Sequence, residues 1–389
     1  MDSPSTPPPA ARRRAGPGRR GCLSVLAVAA MIALILIATP SGRAHGRAAL
    51  LVADLLSPTR QSVLRGLPSP LRQPVSIPTA AGETEANFYL PAGAGPHGAL
   101  ILVLGFPSDI EDQALNQVAA NLARLGVAVL IPRLPRLRVG ELAASDVEIL
   151  IAAFEWLAAQ PSIAPGHIGY GGFCVGSSLA LLAAEDERIR ERVALVNVFG
   201  GYYDLPGYIR AIAARSAEYS GREYPWRPAA DTDTLLAKNV LAYLDSPSDA
   251  AALRAHLTGD NATPPALSAA GRWALALLSA GEPQAVDALM AQLPAGYDVR
   301  LRAMSPSAGI DRLRARLYIM HDLSDPFVPV VEAYRLRAAA PEPAHARFAE
   351  FVLFQHVRPA PGRQRLIVIR EAGRLIFFLA PLLAELEPE

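Results

Sequence analysis

The sequence predicts an α/β protein with a mostly parallel sheet, flanking helices, a helical insertion and an apolar segment near the N-terminus. From about residue 75, short apolar runs alternate with segments whose apolar residues recur at helical spacing. Such alternation is typical of parallel strands joined by helices. The alternation stops between residues 201 and 311, where the pattern is helical only. An uncharged run at residues 21–42 is long enough to cross the ~30 Å hydrocarbon core of a bilayer as a helix.

The composition is that of a globular chain with a large core. Hydrophobic residues make up 51% of the 389 residues, and the net charge is +1 with the charges scattered, so no nucleic-acid partner is expected. The chain has two cysteines, Cys22 and Cys174, and Cys22 borders the apolar N-terminal run, which argues against a disulfide framework. The histidines show no paired metal-ligand spacing, so neither a metal nor a cofactor is predicted.

The N-terminal region predicts an export or membrane signal. Residues 1–20 are rich in proline and arginine and are predicted to form a disordered cytoplasmic tail. Residues 21–42 are predicted to be a transmembrane anchor, with a cleaved signal segment as the alternative. Because arginines precede the run, the rest of the chain is expected outside the cytoplasm, either membrane-anchored or secreted after cleavage. Residues 43–70 are interpreted as a linker.

The remaining chain divides into a core, at 71–200 and 312–389, and a helical cap insertion at 201–311. Buried or half-buried apolar runs predict the core strands, at 75–77, 87–90, 99–104, 127–131, 167–171, 193–198, 317–320 and 348–354. Helical spacing predicts the core helices, at 112–125, 145–160, 176–184, 328–339 and from about 371 onward. Ser145 and Glu148 have the spacing of a capping box at the second of these helices.

The strongest motif is GFCVG at residues 172–176, which lies between a predicted strand and a predicted helix. It has the form of a nucleophile elbow, G-x-S-x-G, with Cys174 in place of serine. The turn is so tight that a side chain at Gly172 or Gly176 would collide with the neighbouring backbone. A thiol at a helix N-terminus is favoured as the reactive thiolate. Cys174 is therefore the predicted nucleophile.

Two aspartates follow strand ends and are candidates for an orienting carboxylate. Asp325 comes shortly after the strand that ends near His321, and a buried carboxylate there could fix the tautomer of a catalytic histidine. Asp325 could instead cap the helix predicted to start near residue 328. Asp204, which follows the strand ending near 198, is the alternative acid. His321 itself is interpreted as local structure.

His356 follows the last predicted strand and is the predicted general base. The oxyanion of a tetrahedral intermediate needs two backbone N–H donors close to the nucleophile. The expected donors are Val175, directly after the nucleophile, and Phe106, in the loop after the strand at 99–104. Pro107 is excluded because it has no N–H.

These residues resemble the α/β-hydrolase superfamily, and particularly its dienelactone-hydrolase-like branch. The resemblance rests on GFCVG at 172–176, HDLSDPFVP at 321–329 and FQHV at 354–357, and on the chain order nucleophile, acid, histidine. A cysteine at the elbow is characteristic of that branch and implies attack on an ester or lactone carbonyl through a thioester. In that branch a glutamate after the third strand contacts the resting thiol, whereas this sequence reads LVLGFPSD there. The large insertion also departs from the compact dienelactone enzymes.

The resemblance implies hydrolysis of an ester-type bond (ester, lactone or thioester) in a small molecule by a Cys-His-Asp triad, through an acyl-enzyme. One alternative is a catalytically silent relative that binds a ligand or partner under the cap. Another is an enzyme of the same fold that transfers acyl groups or cleaves peptide bonds.

Overall fold

The computed structural model describes residue 31 and residues 38–57, 62–106, 109–259 and 266–388. The predicted cytoplasmic tail lies outside the described residues, as does most of the predicted anchor at 21–42. Within the described ranges, no helix combines the length and the apolar character needed to cross a membrane.

A sheet of eight strands forms the centre of the molecule, and two small hairpins lie outside it. The strands are β1 (Leu71–Thr79), β2 (Gly82–Leu90), β3 (His97–Val103), β4 (Ala128–Pro132), β5 (Ile163–Phe173), β6 (Val193–Phe199), β7 (Ala217–Tyr219), β8 (Arg222–Tyr224), β9 (Arg316–Asp322), β10 (Ala346–Phe351), β11 (Phe354–Gln355) and β12 (Arg358–Pro359). The central order is β1-β2-β4-β3-β5-β6-β9-β10. The pairs β1–β2 and β2–β4 are antiparallel and the others are parallel, which confirms the predicted mostly parallel sheet.

Helices cover both faces of this sheet. The α-helices of the described residues are α1 (Pro40–Leu55), α2 (Gln113–Arg124), α3 (Pro135–Arg138), α4 (Ala144–Ala158), α5 (Val175–Ala184), α6 (Leu205–Ala214), α7 (Ala230–Ala242), α8 (Pro247–Leu257), α9 (Ala269–Ser279), α10 (Pro283–Met290), α11 (Ala295–Ala303), α12 (Val331–Ala339) and α13 (Arg365–Glu385). The flanking helices of the predicted α/β architecture are thus present.

The alternation of side chains along β3 shows how the two cores form. Ala99, Ile101 and Val103 belong to the core that includes helices α4 and α5. Leu100 and Leu102 point to the opposite face, whose core includes α1, α2 and α13. Because every residue of β3 from 98 to 103 is buried, the strand reads as a continuous apolar run.

The interpretation of residues 43–70 as a linker is wrong for residues 43–55, which belong to helix α1. Ala44, Ala48 and Val52 recur at spacing four and are fully buried in the same core as α13. Arg43 and Arg47 pair with Glu387 at 3.0 and 3.3 Å, close to the C-terminal end of α13. The sequence around residues 43–55 did not reveal this helix, because the apolar face of α1 packs against α13, which lies at the far end of the chain.

The stretch between β6 and β9, expected to form a cap, contains helices α6 to α11. It was expected to contain no clear strand, but β7 and β8 pair there as a short antiparallel hairpin. Ser220 and Gly221 connect the two strands, with φ values of 52° and 71°. Positive φ at both central residues is the geometry of a two-residue hairpin turn, and strands of only three residues give little periodic signal in the sequence.

Candidate active site

Cys174 lies at the sharp turn between β5 and α5. Its φ is 54° and its ψ is −144°, a strained combination for a residue with a side chain. A Cβ on Gly172 would lie 2.3 Å from Cα of Ser177, and a Cβ on Gly176 would lie 2.6 Å from the carbonyl oxygen of Leu104. Both glycines are therefore required by close backbone approach, for the physical reason that the motif predicts. The thiol is 5% exposed and heads a helix, where backbone N–H groups favour an anion.

His356 lies in the turn between β11 and β12, with φ at 62°. Its Nδ1–H donates to Oδ2 of Asp325 at 2.7 Å. The ring is also hydrogen-bonded to the Cys174 thiol. The structure thus brings together Cys174, His356 and Asp325, three residues that are far apart in sequence.

Asp325 uses its two carboxylate oxygens for different purposes. Oδ2 accepts the bond from His356, while Oδ1 accepts the backbone N–H groups of Phe327 and Val328 at 2.8 and 3.1 Å. Helix α12 begins only at Val331, so the bonds to Oδ1 fix the loop that precedes the helix. The carboxylate is 2% exposed and is held rigidly. The interpretation of Asp325 as the cap of the following helix is wrong, because the N-cap of α12 is Val330 and no side chain caps it. The contact with His356 is the one that the interpretation as an orienting carboxylate predicts.

His321 lies behind the carboxylate and is completely buried. Its Nε2–H donates to the carbonyl oxygen of Val328 at 2.9 Å, and Nε2 is 3.6 Å from Oδ2 of Asp325. Burial is the dominant influence and lowers the pKa of His321, so the ring is neutral. His321 thus supports the loop that carries Asp325, in agreement with its interpretation as local structure.

The charge state of His356 results from opposing effects. Burial, the largest influence, lowers its pKa because a desolvated cation is unfavourable. The negative charge of the Cys174 sulfur and the hydrogen bonds to Asp325 and Cys174 act in the opposite direction. These attractive interactions prevail and raise the pKa of His356 from 6.5 to about 10. The raised pKa favours the protonated form of His356 at neutral pH.

The alternative acid, Asp204, does not contact His356. It is the N-cap of α6, where Oδ2 accepts the backbone N–H of Gly207 at 2.9 Å. Its Oδ1 accepts the hydroxyl of Ser307 at 2.8 Å. One oxygen thus caps α6 and the other binds Ser307, so the structure gives Asp204 a capping position without contact to His356.

The two predicted oxyanion donors belong to segments that lie beside Cys174. Val175 is the first residue of α5, so its N–H has no acceptor within the helix. Gly105, directly before Phe106, approaches the nucleophile so closely that a Cβ there would be 2.9 Å from Sγ of Cys174. Within the described residues, the N–H of Phe106 donates to no acceptor. In the part of the chain that the structure describes, neither N–H group is thus bound to a backbone acceptor.

Three further residues support the triad and were not identified from the sequence. Gly200, at φ 69°, lies so close that a Cβ would be 3.0 Å from Oδ2 of Asp325 and 3.6 Å from the His356 ring. The indole of Trp226, in the cap, donates to the backbone carbonyl of Asp325 at 2.9 Å. The ring of Phe327 packs on His356 at a centroid distance of 4.7 Å. The pair of glycines directly after β6 could have indicated a close approach at Gly200. Nothing in the sequence indicates the contact between Trp226 and Asp325.

A small cavity adjoins the site beneath the cap. It is bordered by both oxyanion candidates and by apolar side chains of α6 and α7, among them Leu205, Ile209, Leu235 and Leu236. Its volume of about 30 Å³ corresponds to one or two water molecules.

Comparison with protein-family models gives no match. Two proteins of Mycobacterium tuberculosis, each provisionally named a phosphoribosyl transferase, are 31% identical to this chain over 144 residues. The match covers 36% of this chain and 32% of those proteins, so the chain spans about a third of the length of the curated relatives it matches.

Solved structures share the architecture at low sequence identity. An acylaminoacyl peptidase from Pyrococcus horikoshii is 13% identical and superimposes with a TM-score of 0.51, covering 86% of this chain and 45% of the peptidase. The chain has the α/β-hydrolase fold. A dienelactone hydrolase from Anabaena variabilis is 16% identical with a TM-score of 0.43, covering 82% of this chain and 96% of that enzyme. Identities this low show the fold alone.

The α/β-hydrolase fold has a characteristic chain order of nucleophile, acid and histidine. In that fold the nucleophile occupies a turn between a strand and a helix, and the acid and histidine follow it in chain order. Cys174, Asp325 and His356 occur in this chain order, and Cys174 lies in such a turn. Among the described residues, no group of histidine, cysteine and acidic side chains could hold a metal ion.

Proposed function

We propose that this protein hydrolyses ester-type bonds with Cys174 as nucleophile, His356 as general base and acid, and Asp325 as the residue that orients His356. The observation that carries the proposal is the continuous chain of contacts from the thiol at the head of α5, through the His356 ring, to the buried Asp325 carboxylate at 2.7 Å. A nucleophile, a base within hydrogen-bonding range and a third group that orients the base are the parts that acyl transfer requires.

The first half of the reaction forms an acyl-enzyme. Sγ of Cys174 attacks the carbonyl carbon, and the carbonyl oxygen becomes an oxyanion that the N–H groups of Val175 and Phe106 stabilise. The tetrahedral intermediate then collapses, the bond to the alkoxy oxygen breaks, and His356 gives its proton to the departing alcohol. The acyl group remains on Cys174 as a thioester. Asp325 stabilises the imidazolium and keeps Nε2 directed at the reacting atoms.

The second half returns the enzyme to its starting state. With the alcohol gone, His356 is neutral and can remove a proton from a water molecule that attacks the thioester carbonyl. The same two N–H groups stabilise the second oxyanion. Release of the carboxylic acid frees the thiolate beside the imidazolium, which is the state that the raised pKa of His356 favours.

The cap contributes the walls that face the acyl or alcohol portion of the substrate. Its residues at the cavity are apolar apart from Tyr208 and Asn239, and both side chains are bound to backbone carbonyl groups. An apolar, water-poor site strengthens the electrostatic interactions at the reacting atoms. We therefore propose small-molecule substrates with an apolar acyl or alcohol group. Membership of the dienelactone-hydrolase-like branch stays a prediction.

The proposal is tested with short- and medium-chain p-nitrophenyl esters and the full chain in detergent micelles. We expect turnover by the wild type and its loss in Cys174→Ala and in His356→Ala. Cys22→Ala is the matched control, because it removes the other cysteine of the chain and should retain turnover. Folding of each variant is checked by its thermal unfolding transition.

Unchanged turnover in Cys174→Ala would remove the thiol from the mechanism and refute the proposal. If even the wild type is inactive, the rate at which iodoacetamide labels Cys174 distinguishes the alternatives. A silent relative would be labelled at the rate of an ordinary buried thiol, whereas an enzyme with narrow specificity would be labelled rapidly and more slowly in His356→Ala. Faster turnover on addition of an alcohol acceptor would indicate acyl transfer.

A further inference from the structure

The outer face of helix α13 carries large apolar side chains in open solvent. Leu366, Ile369 and Phe377 are 81%, 68% and 69% exposed. Together with Gly373, whose Cα faces open space, they recur at spacings of three, four and four, so they form one stripe along the helix. Apolar patches of this kind on a soluble surface mark interaction sites.

The inner face of the same helix packs against the core. Leu375, Phe378, Leu382 and Leu383 are buried against the sheet and α1. Since α13 packs on the core through these residues, the outer stripe lies outside the core of the single chain. Its apolar character therefore needs a partner outside the described structure.

The stripe is flanked by positive charge. Arg365, Arg370 and Arg374 lie along the exposed part of α13, and the only acidic residue between positions 365 and 377 is Glu371. The Glu371 carboxylate is fully buried and pairs with Arg370 at 3.1 Å and Arg374 at 3.2 Å. The segment thus keeps a net positive charge, which suits a negatively charged surface.

Helix α1 places the C-terminal end of the apolar run, residues 40–42, near this stripe. The ring of His45, near the start of α1, lies at an edge-on angle to the Phe377 ring with a centroid distance of 5.4 Å. Since α1 begins at Pro40, the uncharged run joins the folded domain next to the stripe. A chain whose N-terminal run enters a bilayer would hold the outer face of α13 close to that bilayer.

We propose that the outer face of α13, formed by Leu366, Ile369 and Phe377 and flanked by Arg365, Arg370 and Arg374, rests on the surface of a bilayer that contains anionic lipid. Apolar side chains enter the boundary between headgroups and acyl chains, while the guanidinium groups contact lipid phosphates. Pairing of two copies through this face is disfavoured, because it would bring arginines of both copies together. The proposal is independent of the catalytic assignment.

The test is depth-resolved fluorescence quenching of the full chain on vesicles. Ile369→Trp and Phe377→Trp are each mixed with phosphatidylcholine vesicles in which about a third of the lipid is phosphatidylglycerol and the acyl chains of the phosphatidylcholine are brominated. We expect the added tryptophan to lose about half of its emission, because bromine quenches indoles within the interface. Replacing the anionic lipid by phosphatidylcholine, or raising the salt concentration, should reduce the loss.

The matched control is Leu257→Trp, which changes an exposed residue of α8, 44% exposed, in the cap. Its quenching should equal that of the wild type, whose emission comes from the three native tryptophans. Flotation shows that each variant is bound to the vesicles. Failure to float, or quenching at 369 and 377 no greater than at 257, overturns the proposal. If the wild type sediments as a dimer and Ile369→Glu sediments as a monomer, the face binds a second copy of the chain and the proposal is overturned.

Discussion

The carboxylate of Asp325 lies 2.7 Å from Nδ1 of His356 and is itself anchored by the backbone N–H groups of Phe327 and Val328. Because one oxygen is fixed by the loop and the other by the imidazole, the plane and tautomer of His356 are determined by the backbone of residues 325–328. This arrangement directs Nε2 toward Cys174, and it explains why a histidine in a two-residue turn can be held well enough to act as a base.

The first prediction concerns the acid. Asp325→Asn should lower kcat/KM for ester hydrolysis by about 10²- to 10⁴-fold, because the amide cannot stabilise the imidazolium and favours the wrong tautomer. The measurement is steady-state hydrolysis of the best p-nitrophenyl ester, with the unfolding transition recorded for the same preparation.

Asp204→Asn is the control for that prediction. It weakens the N-cap of α6 and should lower the free energy of unfolding by about 1 kcal/mol or less, with kcat/KM changed far less than in Asp325→Asn. The opposite ranking of the two variants in activity would show that Asp204 is the acid and that the assignment of Asp325 is wrong.

The second prediction concerns Gly105. A Cβ at this position would lie 2.4 Å from Cβ and 2.9 Å from Sγ of Cys174, so either the nucleophile or the oxyanion loop must move. A displacement of about 1 Å at reacting atoms can reduce the rate about 100-fold, which is the loss expected for Gly105→Ala. Gly166→Ala is the matched control, since a Cβ on this glycine of β5 meets no atom within 4 Å. Equal activity of the two variants would contradict the close approach of Gly105 to the thiol.

The third prediction concerns the titration of His356. In the wild type, NMR of isotope-labelled histidine should give a pKa of about 10, well above the 6.5 of an unperturbed imidazole. Cys174→Ala should lower this pKa, because the charge of the Cys174 sulfur is the largest of the effects that raise it. A His356 pKa near 6.5 in the wild type would show that the ion pair does not form.

The same shift makes a prediction for stability. Since folding raises the pKa of His356, its contribution to stability is fully present below about pH 6.5 and is lost as the pH rises through about 10. Denaturant unfolding of the wild type and of His356→Gln should therefore show a stability difference that shrinks between these pH values. A difference that grows with pH would contradict the direction of the shift.

The fourth prediction concerns helix α1. Ala48→Glu places a carboxylate at a position that is 0% exposed in the core shared with α13, and should lower the free energy of unfolding by about 2–4 kcal/mol. Leu50→Glu, at a residue of the same helix that is 44% exposed, should change it by about 0.5 kcal/mol or less. Equal effects would mean that α1 does not pack as described.

The parts of this site that follow from local geometry could be predicted from the sequence. Gly172 and Gly176 are demanded by contacts within one strand–turn–helix unit, so the motif alone identifies the elbow. In contrast, Asp204 and Asp325 both follow strand ends. The sequence could not separate them, because the distinction depends on which strand end lies beside the turn of His356.

Other features were set by contacts between distant segments. Ser145 and Glu148 have capping-box spacing, yet α4 begins at Ala144 and Glu148 instead pairs with Arg188 at 2.8 Å. Asp146 accepts the backbone N–H of Leu137 at 2.6 Å. Contacts with distant residues thus decide the structure here, and the local capping-box motif does not form. In the same way, packing against α13 makes residues 43–55 a helix, although the sequence was interpreted as a linker.

The central claim is that Cys174 carries the acyl group, and the most direct measurement is peptide mass spectrometry of the enzyme quenched in acid during ester turnover. We expect an acyl adduct on the peptide that contains Cys174, removed by hydroxylamine as a thioester should be, and absent from Cys174→Ala. An adduct on another residue, such as Ser177 or Ser178 nearby, or turnover by Cys174→Ala at the wild-type rate, would contradict it.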